Sequence, residues 1–569
     1  KSSFTLALGK AFVAEAASPA ISQSGNRIAL NGHTYVASWS QRQEQIGIAD
    51  AGLIQAMGIE LLNTNDATQQ PIEWFSDQRT TPLSLAAWRN GGYRYLDIAP
   101  LSQQFGLRAE INGNLLNLST PGAKITGVRQ GRQSWGDRVV VELDGAAPWQ
   151  VDEEPGETVI TIDAQLDPAV QRFIGGAGNQ LTSLKVESSQ NRSIIRIGIP
   201  NGIRPRVWSI PNPNRLLIDV RPDWLVERNI LWAPGVRWQQ QFMTLRGDRF
   251  PVVWLEIDPR QPGVKLKPIV SNTTGVAGTA PLMTTAQQSQ AIAAINGGFF
   301  NRNTRLPLGA IRREEEWVSG PILGRGAIGW NDAGEITVGR LKLQESLTTD
   351  KGAKLPIVYL NSGYVGAGVY RHTRAWGSTY TPILNHELLV TVEDGKVTQQ
   401  QQSTQAGQNT VPIPANGYLL VIRDDASAAQ ALTLGTKVEL EAATQPTNFS
   451  QYSEVMGAGP LLIQNRQMVM NPSVEEFSAA FQQQAAPRSV IAATAEGKLM
   501  LVTVHNRVNG VGPTLAEVAQ LMQQFGVVNA LNLDGGSSST LYLGGSLLDR
   551  APSTAARVHN GIGVFIQPD

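Results

Sequence analysis

The sequence predicts a multidomain protein made of a small α+β domain, a β-sandwich and a large α+β domain. The chain has 569 residues, which is too long for one ordinary hydrophobic core. Its local patterns also change along the chain: helices and strands alternate first, strands alone follow, and an irregular mixture comes last. The hydrophobic content of 41% is that of a globular protein.

The composition excludes several classes of function. Lys+Arg and Asp+Glu both number 47, so net charge gives no reason to expect nucleic acid or an anionic membrane as a partner. The chain has no cysteine, which excludes disulfides, thiolate metal sites and cysteine nucleophiles. It contains no uninterrupted apolar run of about 18 residues, so no membrane span is predicted.

Residues 1–25 are predicted to be a mature N-terminal segment. The stretch from Phe4 to Ala20 has the small residues of a secretory leader, but Lys10 and Glu15 interrupt its apolar part. Because the numbering begins at Lys1 rather than Met, we expect either a leader that has been removed or an artificial boundary.

Residues 26–122 are predicted to form the α+β domain. The segments 48–58 and 97–107 echo each other, and each predicts a short helix that a glycine ends. Asn112-Gly113 predicts a hairpin. The stretch resembles the domain called copper amine oxidase N-terminal-like, which implies copper. It contains a single histidine, His33, and no cysteine, so we predict no metal here.

Residues 123–222 are predicted to form the β-sandwich, because Pro, Gly and Asn separate strand patterns there. The pattern resembles the AMIN domain, which implies an envelope protein that binds peptidoglycan or another wall polymer. A periplasmic or extracellular location is therefore expected. The predicted strands are 138–143, 158–163, 193–199 and 215–220.

Residues 223–250 are predicted to be an aromatic-rich connector. Trp224, Trp232 and Trp238 lie within it, and Trp254 follows. Flat aromatic faces suit sugar rings, but large amphipathic side chains also fill the joints between domains. We favour the second interpretation.

Residues 251–569 contain two similar units, each with a helical pattern, an apolar run, a polar side chain and a Gly-Gly pair. In the first, residues 291–295 precede Asn296-Gly297-Gly298. In the second, residues 527–531 precede Asn532-Leu533-Asp534-Gly535-Gly536-Ser537-Ser538-Ser539-Thr540. Thr514 and Glu517 are spaced as a capping box for the second helix. We expect the two strand ends to meet at one cleft.

Four ordered motifs resemble the phosphodiester glycosidase family, over a stretch from about Pro234 to the C-terminus. They are Asn296-Gly297-Gly298-Phe299-Phe300, Ala486-Pro487-Arg488-Ser489, the Asp534 motif and Arg557-Val558-His559-Asn560. Ser489-Val490-Ile491-Ala492 departs from the Thr-Ala-Ile-Gly common in the family, and Ala492 for Gly narrows the approach to the backbone. The resemblance implies a hydrolase of a sugar-1-phosphodiester, or a related glycosidic bond, in an envelope or extracellular polysaccharide.

The resemblance also implies the site residues. Asp534, Arg488 and Asn296 are the expected catalytic residues. A phosphate leaving group needs little protonation, and the rigid guanidinium of Arg488 suits it. The Gly-Gly backbones are predicted to form anion nests. The expected substrate-binding residues are Gly297, Gly298, Gly535, Gly536, Ser537, Ser538, Arg557 and Asn560.

Asp534 has two candidate roles. It serves as acid/base or nucleophile, or it holds a calcium or magnesium ion. We favour direct catalysis, because no cluster of carboxylates lies near it in the sequence, and we assign no metal ligand. Glu454 and Asp549 are candidates for a second carboxylate, but a structural role is favoured for both.

Two other functions stay open. A serine-type hydrolase would use Ser537, Ser538 or Ser539 with His559 as its base, although no Gly-x-Ser-x-Gly elbow surrounds these serines. The second alternative is a non-catalytic protein that binds envelope polysaccharide.

Overall fold

The computed structural model describes residues 19–569. This part of the chain forms eight β-sheets and six short α-helices, so it is dominated by strands rather than by the α+β mixture predicted for its first and last parts. The predicted boundary at residue 26 falls inside the first strand, and most of the predicted N-terminal segment lies outside the described residues. The helices are α1 (Asp50–Met57), α2 (Ala99–Phe105), α3 (Leu282–Gln288), α4 (Ala426–Ala431), α5 (Ala479–Gln483) and α6 (Leu515–Phe525).

Residues 21–119 contain the nine strands of the first sheet. Helices α1 and α2 end at Gly58 and Gly106, which adopt left-handed φ angles of 79° and 71°, so the predicted glycine stops are confirmed. The predicted hairpin at Asn112-Gly113 is also present. In spatial order the strands are Glu60–Leu61, Gln69–Glu73, Leu83–Asn90, Tyr93–Asp97, Gln45–Ala49, His33–Arg42, Ile21–Leu30, Leu115–Ser119 and Arg108–Asn112.

The middle of the chain forms two sheets, and the four strands predicted there are all present. In three of them buried residues alternate with partly buried ones, as expected where one face of a sheet covers a core, whereas Arg215–Val220 is buried from its second residue onward. The five-stranded sheet has the order Gln165–Leu166, Lys124–Gln133, Gly136–Leu143, Arg215–Val220, Arg206–Ile210. The four-stranded sheet has the order Trp149–Glu154, Glu157–Ile162, Arg192–Gly198, Ser183–Ser189.

The predicted connector is instead part of the next sheet. Two of its segments are strands that pair antiparallel and extend an eight-stranded sheet. Trp232, Trp238 and Trp254 are all buried, consistent with packing at the joint. The sheet has the order Arg228–Ala233, Val236–Leu245, Asp248–Ile257, Leu499–Val504, Arg488–Ala493, Asn529–Asn532, Leu461–Gln464, Gln467–Met468.

Four further sheets complete the C-terminal part. One has the order Val264–Val270, Asn560–Ile566, Ala293–Asn296, Leu541–Leu543, Ser546–Leu547. Another has the order Glu316–Ser319, Ile311–Arg313, Glu454–Gly457, Gly326–Trp330, Ile336–Arg340. The seven-stranded sheet has the order Lys396–Gln402, Leu388–Glu393, Gly417–Arg423, Gly368–His372, Lys354–Leu360, Lys342–Thr349, Val438–Gln445, and Thr379–Tyr380 pairs with Val411–Pro412.

The three parts of the chain share one continuous hydrophobic core, which includes Ile28, Val139 and Leu501. A buried polar network also crosses between them. Arg94 donates from Nε to Asp50 Oδ2 at 3.0 Å, and the Trp232 indole donates to the same oxygen at 2.8 Å. Within residues 19–569 no helix is both long enough and apolar enough to cross a membrane.

Candidate active site

The ends of two strands from different sheets meet at the predicted site. The backbone N–H of Asp534 donates to Gly297 O at 2.9 Å, and the side-chain amide of Asn296 donates to Asp534 O at 2.6 Å. Helix α6 leads into the Asp534 strand; the predicted capping box of Thr514 and Glu517 is present at its start. The structure therefore places Asn296 and Asp534 side by side, although 238 residues separate them.

Asn296 connects three of the four motifs. Its side chain is fully buried, and its Oδ1 accepts from Ser489 Oγ at 2.6 Å and from Thr540 N at 3.1 Å. Since its amide N–H donates to Asp534 O, protein partners engage both ends of the side chain. This geometry is that of a positioning residue, rather than of the catalytic residue that we expected.

The Gly-Gly pairs do not form the predicted anion nests, because protein acceptors occupy their N–H groups. Gly297 and Gly298 donate to the backbone and side-chain oxygens of Asn560. Gly535 donates to Asp534 Oδ1 at 2.9 Å, and Gly536 donates to Pro487 O at 2.7 Å. The glycines permit close packing instead.

Asn560 and His559 support this packing from behind. Asn560 is buried and contacts Gly298 through both ends of its amide. His559 is 1% exposed, with Nε2 at 2.6 Å from Val276 O and Nδ1 at 3.1 Å from the Asn560 amide. Burial lowers the pKa of His559. Since both ring nitrogens are engaged, His559 is not placed to act as the base of a serine hydrolase.

The carboxyl group of Asp534 has a perturbed acidity. Asp534 is half-buried, and burial raises its pKa to about 6, although the Ser538 hydroxyl, the Gly535 N–H, Arg302 and Arg488 all favour the charged form. A pKa in this range allows the group to gain or lose a proton near neutral pH, as acid–base catalysis requires.

Arg488 lies beside Asp534 with part of its guanidinium unsatisfied. It is 2% exposed, donates from Nη2 to Gln484 O at 2.5 Å and lies 5.4 Å from the ring centre of Phe481. Its Nε has no partner within residues 19–569, and neither does the buried hydroxyl of Ser539. Burial lowers the pKa of Arg488 to about 10, against the attraction of Asp534. Nearly all buried polar groups in folded proteins are hydrogen-bonded, so these two unpaired groups mark a place where a ligand or an ordered water would complete the bonding.

Three other residues in or near the motifs are exposed rather than buried. Arg302, which sequence reasoning missed, is exposed, and its charge acts on Asp534. Its position two residues after Phe300, at the end of the Asn296 motif, is the sequence feature that could have identified it. Arg557 is exposed and donates to Thr279 O at 2.6 Å. Ser537 is exposed, and its carbonyl accepts from Ala556 N.

The two candidates for a second carboxylate have structural partners, as favoured. Glu454 accepts twice from Glu314 N at 3.1 Å, and burial raises its pKa. Asp549 accepts from Leu541 N and contacts His505. Within the described part of the chain no three His, Asp or Glu residues cluster as metal ligands. A cation at Asp534 would therefore have a single carboxylate.

Comparison with known proteins places the chain in a family. A crystal structure of a hypothetical protein from Synechocystis is 44% identical, with a TM-score of 0.89, and the match covers 96% of this chain and 99% of that one. The chain belongs to the family of this protein. In addition, residues 386–565 match the family model described as phosphodiester glycosidase. That match includes Arg488, Asp534 and Asn560, but Asn296 lies before it.

Two other solved structures are more distant. The catalytic domain of zebrafish N-acetylglucosamine-1-phosphodiester α-N-acetylglucosaminidase, auto-inhibited by its pro-peptide, is 16% identical with a TM-score of 0.32, over 59% of this chain and 84% of that one. A protein from Burkholderia pseudomallei is 16% identical with a TM-score of 0.48, over 78% and 99%. No curated protein matches the chain.

Proposed function

We propose that the protein is a glycosidase that hydrolyses a sugar-1-phosphodiester in an envelope or extracellular polysaccharide. The observation that carries this proposal is a carboxyl group with a pKa near 6 next to a buried arginine with an unpaired donor. The match of residues 386–565 to the phosphodiester glycosidase model supports the same chemistry.

In the proposed reaction, Asp534 in its ionised form takes a proton from water as the water oxygen attacks C1 of the sugar. The bond between C1 and the phosphate oxygen breaks, and its electron pair leaves with the phosphate. Ordinary glycosidases use a second carboxyl group to protonate the leaving group. A phosphate monoester is already a good leaving group, so one carboxylate is sufficient here.

The proposed phosphate partners are Arg488 and Arg302. Arg488 offers the unpaired Nε on a rigid guanidinium, and Arg302 brings a second positive charge from the solvent side. Asn296 holds the Asp534 loop against the Ser489 strand through its hydrogen bonds. It therefore contributes to catalysis by positioning.

The proposal includes export to the envelope or beyond. The resemblance of residues 123–222 to a wall-polymer-binding sandwich supports this, and the absence of cysteine is compatible with it. Peptidoglycan is the proposed partner of that part of the chain.

The test is to incubate the protein with envelope polysaccharide that contains sugar phosphodiesters and to measure both products. We expect free reducing sugar and newly exposed phosphomonoester in equal amounts. Phosphomonoester without free sugar would indicate a phosphodiesterase and contradict the proposal. Polysaccharide that is retained by the protein with no product would favour the non-catalytic binding alternative.

A further inference from the structure

A cavity of about 410 Å³ lies between the β-sandwich and the C-terminal part of the chain. The segments 153–156 and 199–204 line it from the sandwich, and residues 505–506, 549–551 and 553–554 line it from the C-terminal part. Trp224, whose ring lies 5.5 Å from the Arg204 guanidinium, also lines the cavity, as does Pro487, next to Arg488. The volume is in the range of ligand-binding sites in proteins.

A histidine–aspartate pair lines this cavity and has no part in the proposed reaction. His505 Nε2 lies 2.6 Å from Asp549 Oδ2, and the fully buried Asp549 also accepts from Leu541 N at 2.8 Å. The carboxylate therefore fixes the ring of His505, with Nε2 as donor. Nδ1 has no partner in the described residues and is not sealed from solvent, which leaves one oriented hydrogen-bonding atom available.

The other groups in the cavity indicate a neutral ligand. The cations are already engaged: Arg204 pairs with Glu153 at 3.0 Å, and Arg550 donates to the carbonyls of Gly536 and Ser539. Thr554 accepts from the other two nitrogens of Arg550, so every nitrogen of that guanidinium has a protein acceptor that a phosphate would have to displace. The remaining lining combines amides and hydroxyls with an indole and several prolines, and this mixture matches the hydroxyl groups and apolar faces of a sugar ring.

We propose that this cavity is a saccharide-binding subsite that holds a neutral sugar unit of the polymer whose phosphodiester is cleaved at Asp534. This inference rests on the proposed function in one respect: it assumes that the substrate of the protein is a polysaccharide. His505 Nδ1 and the Asn506 amide hydrogen-bond to sugar hydroxyls, while the exposed part of Trp224 and the prolines of the lining contact the apolar face of the ring.

The cavity adjoins the elements that hold the catalytic loop. Pro487 accepts from Gly536 N at 2.7 Å, and Arg550 donates to Gly536 O at 3.1 Å and Ser539 O at 3.0 Å. One polymer chain can therefore contact this subsite while another of its units is presented to Asp534.

The subsite is tested by binding, which does not depend on turnover. Affinity electrophoresis through gels containing dextran, mannan, xylan or hydroxyethyl cellulose measures retention on neutral polysaccharides, and alginate serves as the anionic comparison. Asn201→Trp fills the cavity from its exposed rim, and Asn506→Ala removes one proposed contact. Gln401→Trp, on the exposed edge strand Lys396–Gln402, is the matched control.

We expect the wild type to be retarded by at least one neutral polysaccharide and not by alginate. Asn201→Trp should weaken that binding by about tenfold or more and Asn506→Ala by a few-fold, whereas Gln401→Trp and Asp534→Asn should bind as the wild type does. Three results would overturn the proposal: no retention on any neutral polymer, retention by alginate alone, or an Asn201→Trp variant that binds normally. Since Asp534→Asn keeps the cavity, loss of activity without loss of binding separates this test from that of the proposed function.

Discussion

Asp534 is half-buried and Arg488 is buried, and the loss of solvent moves the pKa values of these two oppositely charged groups towards each other. The pKa of Asp534 rises to about 6 and that of Arg488 falls to about 10. In each case burial opposes the charged form, while the neighbouring opposite charge restores part of it. A phosphate bound between Arg488 and Arg302 would add negative charge near Asp534 and would therefore favour the protonated form of this carboxyl group.

The first prediction at the residue scale is a pH profile. If ionised Asp534 acts as the base, kcat/KM should be constant above about pH 7 and should fall as the pH decreases through about 6, because protonation removes the base. Initial rates with a soluble sugar-1-phosphodiester between pH 4 and 9 measure this. Activity that increases steadily below pH 5 would assign Asp534 the role of an acid instead.

The second prediction distinguishes the two arginines of the family motifs. Arg488→Lys keeps the charge but loses the planar fork of donors, so we expect KM to rise by about tenfold or more. Arg557→Lys should have little effect, because Arg557 is exposed and donates to Thr279 O. Steady-state kinetics on both variants tests the assignment, and a larger effect at Arg557 would reverse it.

At the scale of elements, local signals were predictable and long-range partners were not. The capping box of α6, the glycine stops of α1 and α2 and the sandwich strands follow from neighbouring residues, and the structure contains them. The occupied N–H groups of the Gly-Gly pairs depend on Asn560 and Pro487, which are distant in sequence. The same limit applies to Gln399–Gln402, whose polar composition is typical of a surface loop although these residues lie in the edge strand Lys396–Gln402.

The third prediction concerns Asn296 as the link between loops. Asn296→Asp keeps the shape but replaces the N–H that donates to Asp534 O with an oxygen, and it buries a charge. We expect the free energy of unfolding to fall by about 2–5 kcal/mol and kcat to fall with it. Asn409→Asp, at an exposed loop position of the same part of the chain, is the control and should leave both unchanged.

Chemical denaturation and steady-state kinetics measure these effects together. A stable Asn296→Asp protein with only an increased KM would instead assign Asn296 a direct contact with substrate.

At the scale of the whole molecule, the three parts of the chain are less separable than their sequence patterns imply. The predicted connector provides two strands to the eight-stranded sheet, and Trp232 in one of them contacts Asp50 in α1. The many aromatic residues in this segment made the alternating pattern of its strands hard to recognise in the sequence. We therefore expect the N-terminal parts to stabilise the C-terminal part.

The fourth prediction follows from this shared interior. Asp50→Ala leaves the buried guanidinium of Arg94 without its partner, so the free energy of unfolding should fall by about 3–5 kcal/mol. Asp152→Ala, at an exposed position of the sandwich, should not change it. Denaturation curves of the two variants measure these effects.

Removal of residues 1–222 should yield an insoluble protein, because it exposes Trp232 and the adjoining core. A soluble, active truncated protein would contradict this expectation.

The most direct test of the central claim is the turnover of Asp534→Asn at saturating sugar-1-phosphodiester without added metal. This change keeps the shape and removes the ionisable group, so kcat should fall by about 10²–10⁴-fold while KM stays within a few-fold. Asp350→Asn, an exposed carboxylate of the same part of the chain, should behave as the wild type. Recovery of the rate with excess calcium or magnesium would show that Asp534 holds a cation. A kcat within a few-fold of wild type would contradict the catalytic role of Asp534 altogether.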